Sequence, residues 1–147
     1  MKNFAYKKTS VNWSKSQTAI TKLLNQRGTY ENQFTNLKDR FVLQFRVIEN
    51  EIKKPLAVRI VVPIQHDSED YKMREKELNT LHRVLFYHLK AKFTAIDSGL
   101  TELMEEFMPH LVITDKSGKT GTLGQAILPQ YEESIESGKQ GDIKLLE

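Results

Sequence analysis

The feature that most restricts this chain is a pair of neighbouring segments whose apolar residues recur at every second position. Phe41, Leu43, Phe45 and Val47 share one face of the segment from Arg40 to Ile48, and Leu56, Val58, Ile60, Val62 and Ile64 share one face of the next. Successive side chains of a strand point to opposite sides, so each segment reads as a strand with an apolar face to bury. A turn over Glu49 to Pro55 makes them antiparallel neighbours. A weaker alternation at Tyr30, Asn32 and Phe34, closed by the turn Asn36-Leu37-Lys38-Asp39, adds a strand in front. The expected sheet is an antiparallel meander of two or three strands. Its other face carries Arg40, Val42, Gln44, Arg46 and Ile48 beside Ala57, Arg59, Val61 and Pro63, a mixed surface with three arginines.

What covers the apolar face is written further along, where Leu78, Leu81, Leu85, Leu89, Phe93 and Ile96 step by three or four. That is the stripe of a long amphipathic helix, opened by the carboxylates and hydroxyl of Asp67, Ser68, Glu69 and Asp70 and broken at Ser98-Gly99. Helix on sheet is the expected core. Val84, Phe86 and Tyr87 lie off the stripe and call for a second packed element, the first helix or another chain. A homo-oligomer, a dimer first, follows from that surplus and from the opposite charge of the two ends.

Shorter helices flank this unit. Ser14-Lys15-Ser16-Gln17 has the capping-box pattern with Ser14 as N-cap, Ile20, Leu23 and Leu24 follow at helical spacing, and Gly28 supplies the stop. Thr101 caps a brief helix through Phe107 that ends at Pro109, and Leu111 to Thr114 is a short strand. Asp115 to Lys119 is a tight turn, and Thr122-Leu123-Gly124-Gln125 opens a helix expected to stop at Leu128, before Pro129. The reading is one α+β domain over 1–147, with a basic arm over 1–12 and a weakly ordered tail over 130–147.

Composition excludes several classes. With 147 residues, 39% hydrophobic and 28% charged, and a mean hydropathy of -0.51, the chain is too apolar for disorder and too polar for a membrane protein. No apolar run approaches the roughly 18–20 residues of a membrane span, and no apolar segment follows the basic start MKNFAYKKTS as in a secretory leader. The absence of cysteine removes disulfides, thiolate zinc sites and cysteine nucleophiles, and the expected compartment is the cytoplasm. The net charge of +3 hides a gradient. Residues 1–30 hold Lys2, Lys7, Lys8, Lys15, Lys22 and Arg27 with no acid, whereas 97–147 hold four basic and ten acidic residues.

The reactive side chains form no recognised machinery. His82 and His88 are six apart and point to different sides of a helix, so neither a metal site nor a cofactor is assigned, and His82 or His88 reads as a half-buried flank of the stripe. Glu102, Glu105 and Glu106 followed by His110 are the one set suited to a metal-dependent enzyme, set against the plainer reading of a solvated helix face. Gly118-Lys119-Thr120-Gly121 lacks the spacing of a phosphate loop, and no G-x-S-x-G or H-E-x-x-H occurs.

The run Lys90-Ala91-Lys92-Phe93-Thr94-Ala95-Ile96-Asp97-Ser98-Gly99-Leu100, with Glu105-Glu106-Phe107 and Pro109-His110-Leu111-Val112, resembles a set of small proteins encoded by phages and prophages. Thr122-Leu123-Gly124 and the Leu145-Leu146 pair extend the likeness over most of the chain. It implies a short first helix, a meander, a long helix and an origin in a host cytoplasm, but no reaction, and it carries over no functional residue.

Three functions are compatible with these features. The first is a non-enzymatic nucleic-acid-binding accessory protein that contacts phosphates through Arg40, Arg46 and Arg59 on the open sheet face. Lys7 and Lys8 in the arm and Lys90 and Lys92 near the helix end would assist, with Trp13 or Tyr30 to stack on bases. The second is a phage product that binds a host protein or a small ligand and neutralises a host system. The third, ranked lowest, is the metal-dependent enzyme.

Overall fold

The computed structural model describes residues 9–49, 53–66 and 70–138. The expected meander is present as three strands, β1 (Asn32–Asn36), β2 (Arg40–Ile48) and β3 (Pro55–Pro63), in the spatial order β1-β2-β3. Register follows the alternation. Phe34 pairs with Leu43 and Leu43 with Ile60, while Phe45 faces Val58, so the apolar positions of all three strands fall on one face. Two helices cover that face, α1 (Trp13–Gln26) and α2 (Tyr71–Asp97). Ile20 and Leu24 of α1, Leu85, Leu89 and Phe93 of α2, and Phe41, Leu43, Phe45, Val58 and Ile60 of the sheet form one buried cluster.

The N–H of Trp13 donates to the Asn79 side chain at 2.8 Å, and the Arg27 guanidinium forks onto Asp97 at 2.8 Å per bond. These ties at both ends make α1 and α2 run side by side in the same direction. Phe86, off the main stripe, packs against the core cluster within the chain, which removes it from the surplus that argued for self-association.

Local chemistry sets the ends of these helices, in places differently from expectation. The N-cap of α1 is Asn12, not Ser14: its Oδ1 accepts from the backbone N–H of Ser14 at 2.9 Å and from its hydroxyl at 2.7 Å, so the helix starts earlier. Gly28 ends it with a φ of 79°, a left-handed conformation that costs glycine nothing. Asp70 caps α2 through Met73, while Asp67, Ser68 and Glu69 lie outside the described residues. Between β3 and α2 the chain is held by buried Glu77, which accepts from the backbone N–H of Gln65 and of His66.

After α2 come α3 (Leu103–Phe107), a 3-10 turn at Met108–His110, a two-stranded hairpin of β4 (Val112–Thr114) and β5 (Thr120–Thr122), and α4 (Leu123–Glu136). Glu105 rather than Thr101 braces the start of α3, accepting from the Glu102 N–H at 3.2 Å. Leu111 bridges to Val58 and so sets the hairpin beside β3. The capping box Thr122/Gln125 opens α4 as expected, but the helix runs through Pro129 to Glu136 instead of stopping at Leu128. Proline deprives one carbonyl of its donor, and the helix continues through helix-forming residues beyond it. Residues 130–136 are therefore helical, and of the expected weak tail, 139–147 fall outside the described residues. Gly124 lets α4 sit on the 3-10 turn, since a Cβ there would meet the Pro109 carbonyl at 2.8 Å. No helix among the described residues is long and apolar enough to cross a membrane.

Candidate nucleic-acid interface

Pairing puts Gln33 and Thr35 of β1, Arg40, Val42, Gln44, Arg46 and Ile48 of β2, and Pro55, Ala57, Arg59, Val61 and Pro63 of β3 on the sheet face opposite the helices. Arg40, Arg46, Ile48, Ala57 and Val61 are exposed there. Within the paired strands no acid falls on this face. The carboxylates that reach its arginines come from its margins: Glu31, one residue ahead of β1, meets Arg46 at 3.1 Å, and Asp39 of the turn meets Arg40 at 3.1 Å. Both pairs are solvent-exposed. Arg59 sits in the middle row, where its Nε donates to Gln44 at 3.2 Å beside Gln33. The result is a shallow platform of three cations with amide and hydroxyl groups between them.

The other cations expected to help do not join this platform. Lys90 and Lys92 belong to α2, in the layer on the opposite side of the sheet. Lys90 is exposed, with its ammonium 6.0 Å from the Phe86 ring. Lys92 is mostly buried and committed, donating to the Glu106 carbonyl at 2.8 Å and to its carboxylate at 3.1 Å. It is therefore a structural cation, a role that spacing cannot show because its partner lies in another element. Lys7 and Lys8 lie outside the described residues. Of the two aromatic candidates, Tyr30 is exposed at the end of the sheet, in an open groove with Arg46, whereas Trp13 lines a cavity between the helices.

The three glutamates near His110, set against the plainer reading of a solvated helix face, have different surroundings. Glu102 is exposed, Glu105 braces the helix start, and only Glu106 turns inward, where its other oxygen accepts from the Thr101 hydroxyl at 2.8 Å. Those hydrogen bonds and the Lys92 charge hold the Glu106 carboxyl below the usual range. His88 and His110 border the same pair. Partial burial first, and then the Lys92 charge, lower both imidazoles. This is a lysine–glutamate pair flanked by two histidines, and no group of three metal-ligating side chains is found among the described residues.

His82, expected as a half-buried flank, is instead fully buried. Its ring stacks on Phe41 at 3.8 Å, Nδ1 donates to the Leu78 carbonyl at 2.7 Å, and Nε2 accepts from Gln17 at 2.9 Å. Compared with protein-family models, curated proteins and solved structures, the chain matches none.

Proposed function

We propose that the chain is a non-enzymatic nucleic-acid-binding accessory protein whose open sheet face takes the phosphate backbone. The observation that carries this reading is the strand face itself, with three arginines and no acid among its paired residues. Phosphates are met by arginine with forked, charge-assisted hydrogen bonds, and Gln33, Thr35 and Gln44 add neutral donors between the cations. The carboxylates that now hold Arg40 and Arg46 are weak competitors, because exposed ion pairs contribute about 0–1 kcal/mol. A phosphate displaces them at small cost. Contacts of this kind discriminate little between sequences.

The test is binding to single- and double-stranded probes over a salt series. Affinity of the wild type should fall steeply with salt, and the combined Arg40→Ala, Arg46→Ala and Arg59→Ala variant should flatten the logarithmic slope by about 2–3. Absence of any shift at low salt, or an unchanged slope in the variant, removes the reading. A protein contact on the same face is the second reading, supported by the exposed apolar Ile48 and Val61 among the arginines. It predicts instead that the variant loses a protein partner. The phage resemblance is compatible with either and chooses neither.

A further inference from the structure

We infer that the cavity between the start of α1, the start of α2 and the β1–β2 turn is a binding site for a planar heteroaromatic ring of the nucleobase type. It lies on the helix-bearing side of the sheet, apart from the arginine face. Its volume of about 330 Å3 is at the small end of the range for small-molecule sites, roughly 300–1,000 Å3, and suits one ring system rather than an extended chain.

The walls are mostly apolar. Trp13, Phe41, Ile64 and Leu78 line the cavity. Phe41, stacked on the His82 ring at 3.8 Å, is fully buried and backs the cavity from the core, while Trp13, its ring centre 5.7 Å from that of His82 and its backbone N–H tied to Asn79, is only partly buried. A ligand therefore meets the partly buried Trp13 ring with Leu78 beside it. Tyr71, 71% exposed, supplies a further aromatic side at the mouth.

The rim supplies what the edge of a base requires. The Asn36 Oδ1 accepts from Gln17 at 3.0 Å, which fixes the amide and leaves its NH2 as donor. Glu75 takes one long contact from Asn12 at 3.4 Å and keeps acceptor capacity for an exocyclic amine. Arg74 is anchored at the same rim. Its Nη1 donates to the carbonyls of Lys38 at 2.6 Å and His66 at 3.3 Å, and its Nη2 to that of Leu37 at 3.1 Å. These bonds hold the guanidinium at the rim, where its charge and flat face are available to a π system.

Trp13 is the protein's only tryptophan, so its fluorescence reports on this cavity directly. The experiment titrates the full chain with adenosine, guanosine, cytidine and uridine, and with short single-stranded oligodeoxynucleotides. Saturable quenching is expected. Saturation by nucleosides identifies a small-molecule site, and saturation by oligonucleotides alone identifies a base carried on a strand. Tyr71→Ala, at an exposed position that leaves the core intact, should weaken the saturating ligand about 5- to 150-fold, the loss of one stacked aromatic, and Tyr71→Phe should restore it. Quenching that never saturates, an affinity unchanged in Tyr71→Ala, or saturation by N-acetyltyrosinamide without saturation by nucleosides would each overturn the inference. Nucleoside saturation with no salt-dependent probe shift would leave this site standing while the arginine face falls.

Discussion

His82 shows how one side chain ties the fold to pH. A carbonyl can only accept, so the bond to Leu78 places the proton on Nδ1 and leaves Nε2 to accept from Gln17. Burial pushes this imidazole down to about 4, with the Leu78 bond partly opposing it. A histidine with a folded pKa below its unfolded value near 6.5 stabilises the fold above that value, and the stability is lost as pH falls from about 6.5 toward 4. The full loss is about 3 kcal/mol. Glu77 acts in the next window. Burial raises its carboxyl, but the backbone N–H groups of His66 and Gln65 outweigh that and hold it low, so its contribution disappears on further acidification. An NMR titration should place the His82 midpoint near 4, and a midpoint at or above 6 would show a solvated ring. Ser16 offers a second test, because its buried Oγ has no hydrogen-bond partner among the described residues. Ser16→Ala should leave stability unchanged or raise it by up to about 1 kcal/mol in chemical denaturation.

At the scale of elements, the fold depends on how α2 lies on the meander. Leu85 and Leu89 are buried between helix and sheet, with Leu89 fully so. Leu85→Ala and Leu89→Ala should each cost about 2–5 kcal/mol, and losses under about 1 kcal/mol would mean that the helix does not pack there. The end of α1 is held differently. Arg27 forks onto Asp97 and lies 4.2 Å from the Phe93 ring centre, in a partly exposed setting. Arg27→Ala should cost only about 1 kcal/mol. Spacing predicted both of these helices and missed β5, because Thr120-Gly121-Thr122 has no apolar pattern and becomes a strand only by pairing with Val112 to Thr114.

For the whole molecule, the two-layer arrangement separates stability from the proposed function. The core lies between helices and sheet, so the opposite face can change without disturbing it. Arg40→Ala and Arg46→Ala together should move stability by less than about 1 kcal/mol, since each removes an exposed pair. Thermal unfolding of that variant beside its binding curve tests the separation directly. A collapse in stability would make the arginines structural and the binding loss uninformative.

Strands, helices and most turns were legible in the chain itself, because alternation, three-to-four spacing and capping residues act within a few positions. Alternation alone also set Arg40, Arg46 and Arg59 opposite the core, since a period of two admits one partition of faces. The fate of individual polar groups was decided by tertiary structure. Lys92 looked like a free cation until Glu106, 14 residues later, folded onto it, and His82 looked like a flank until Gln17, 65 residues earlier, reached its ring. The cavity beside Trp13 likewise exists only because three distant segments converge. Local spacing fixes which face a side chain occupies, whereas desolvation and partnership depend on what the rest of the chain brings against that face.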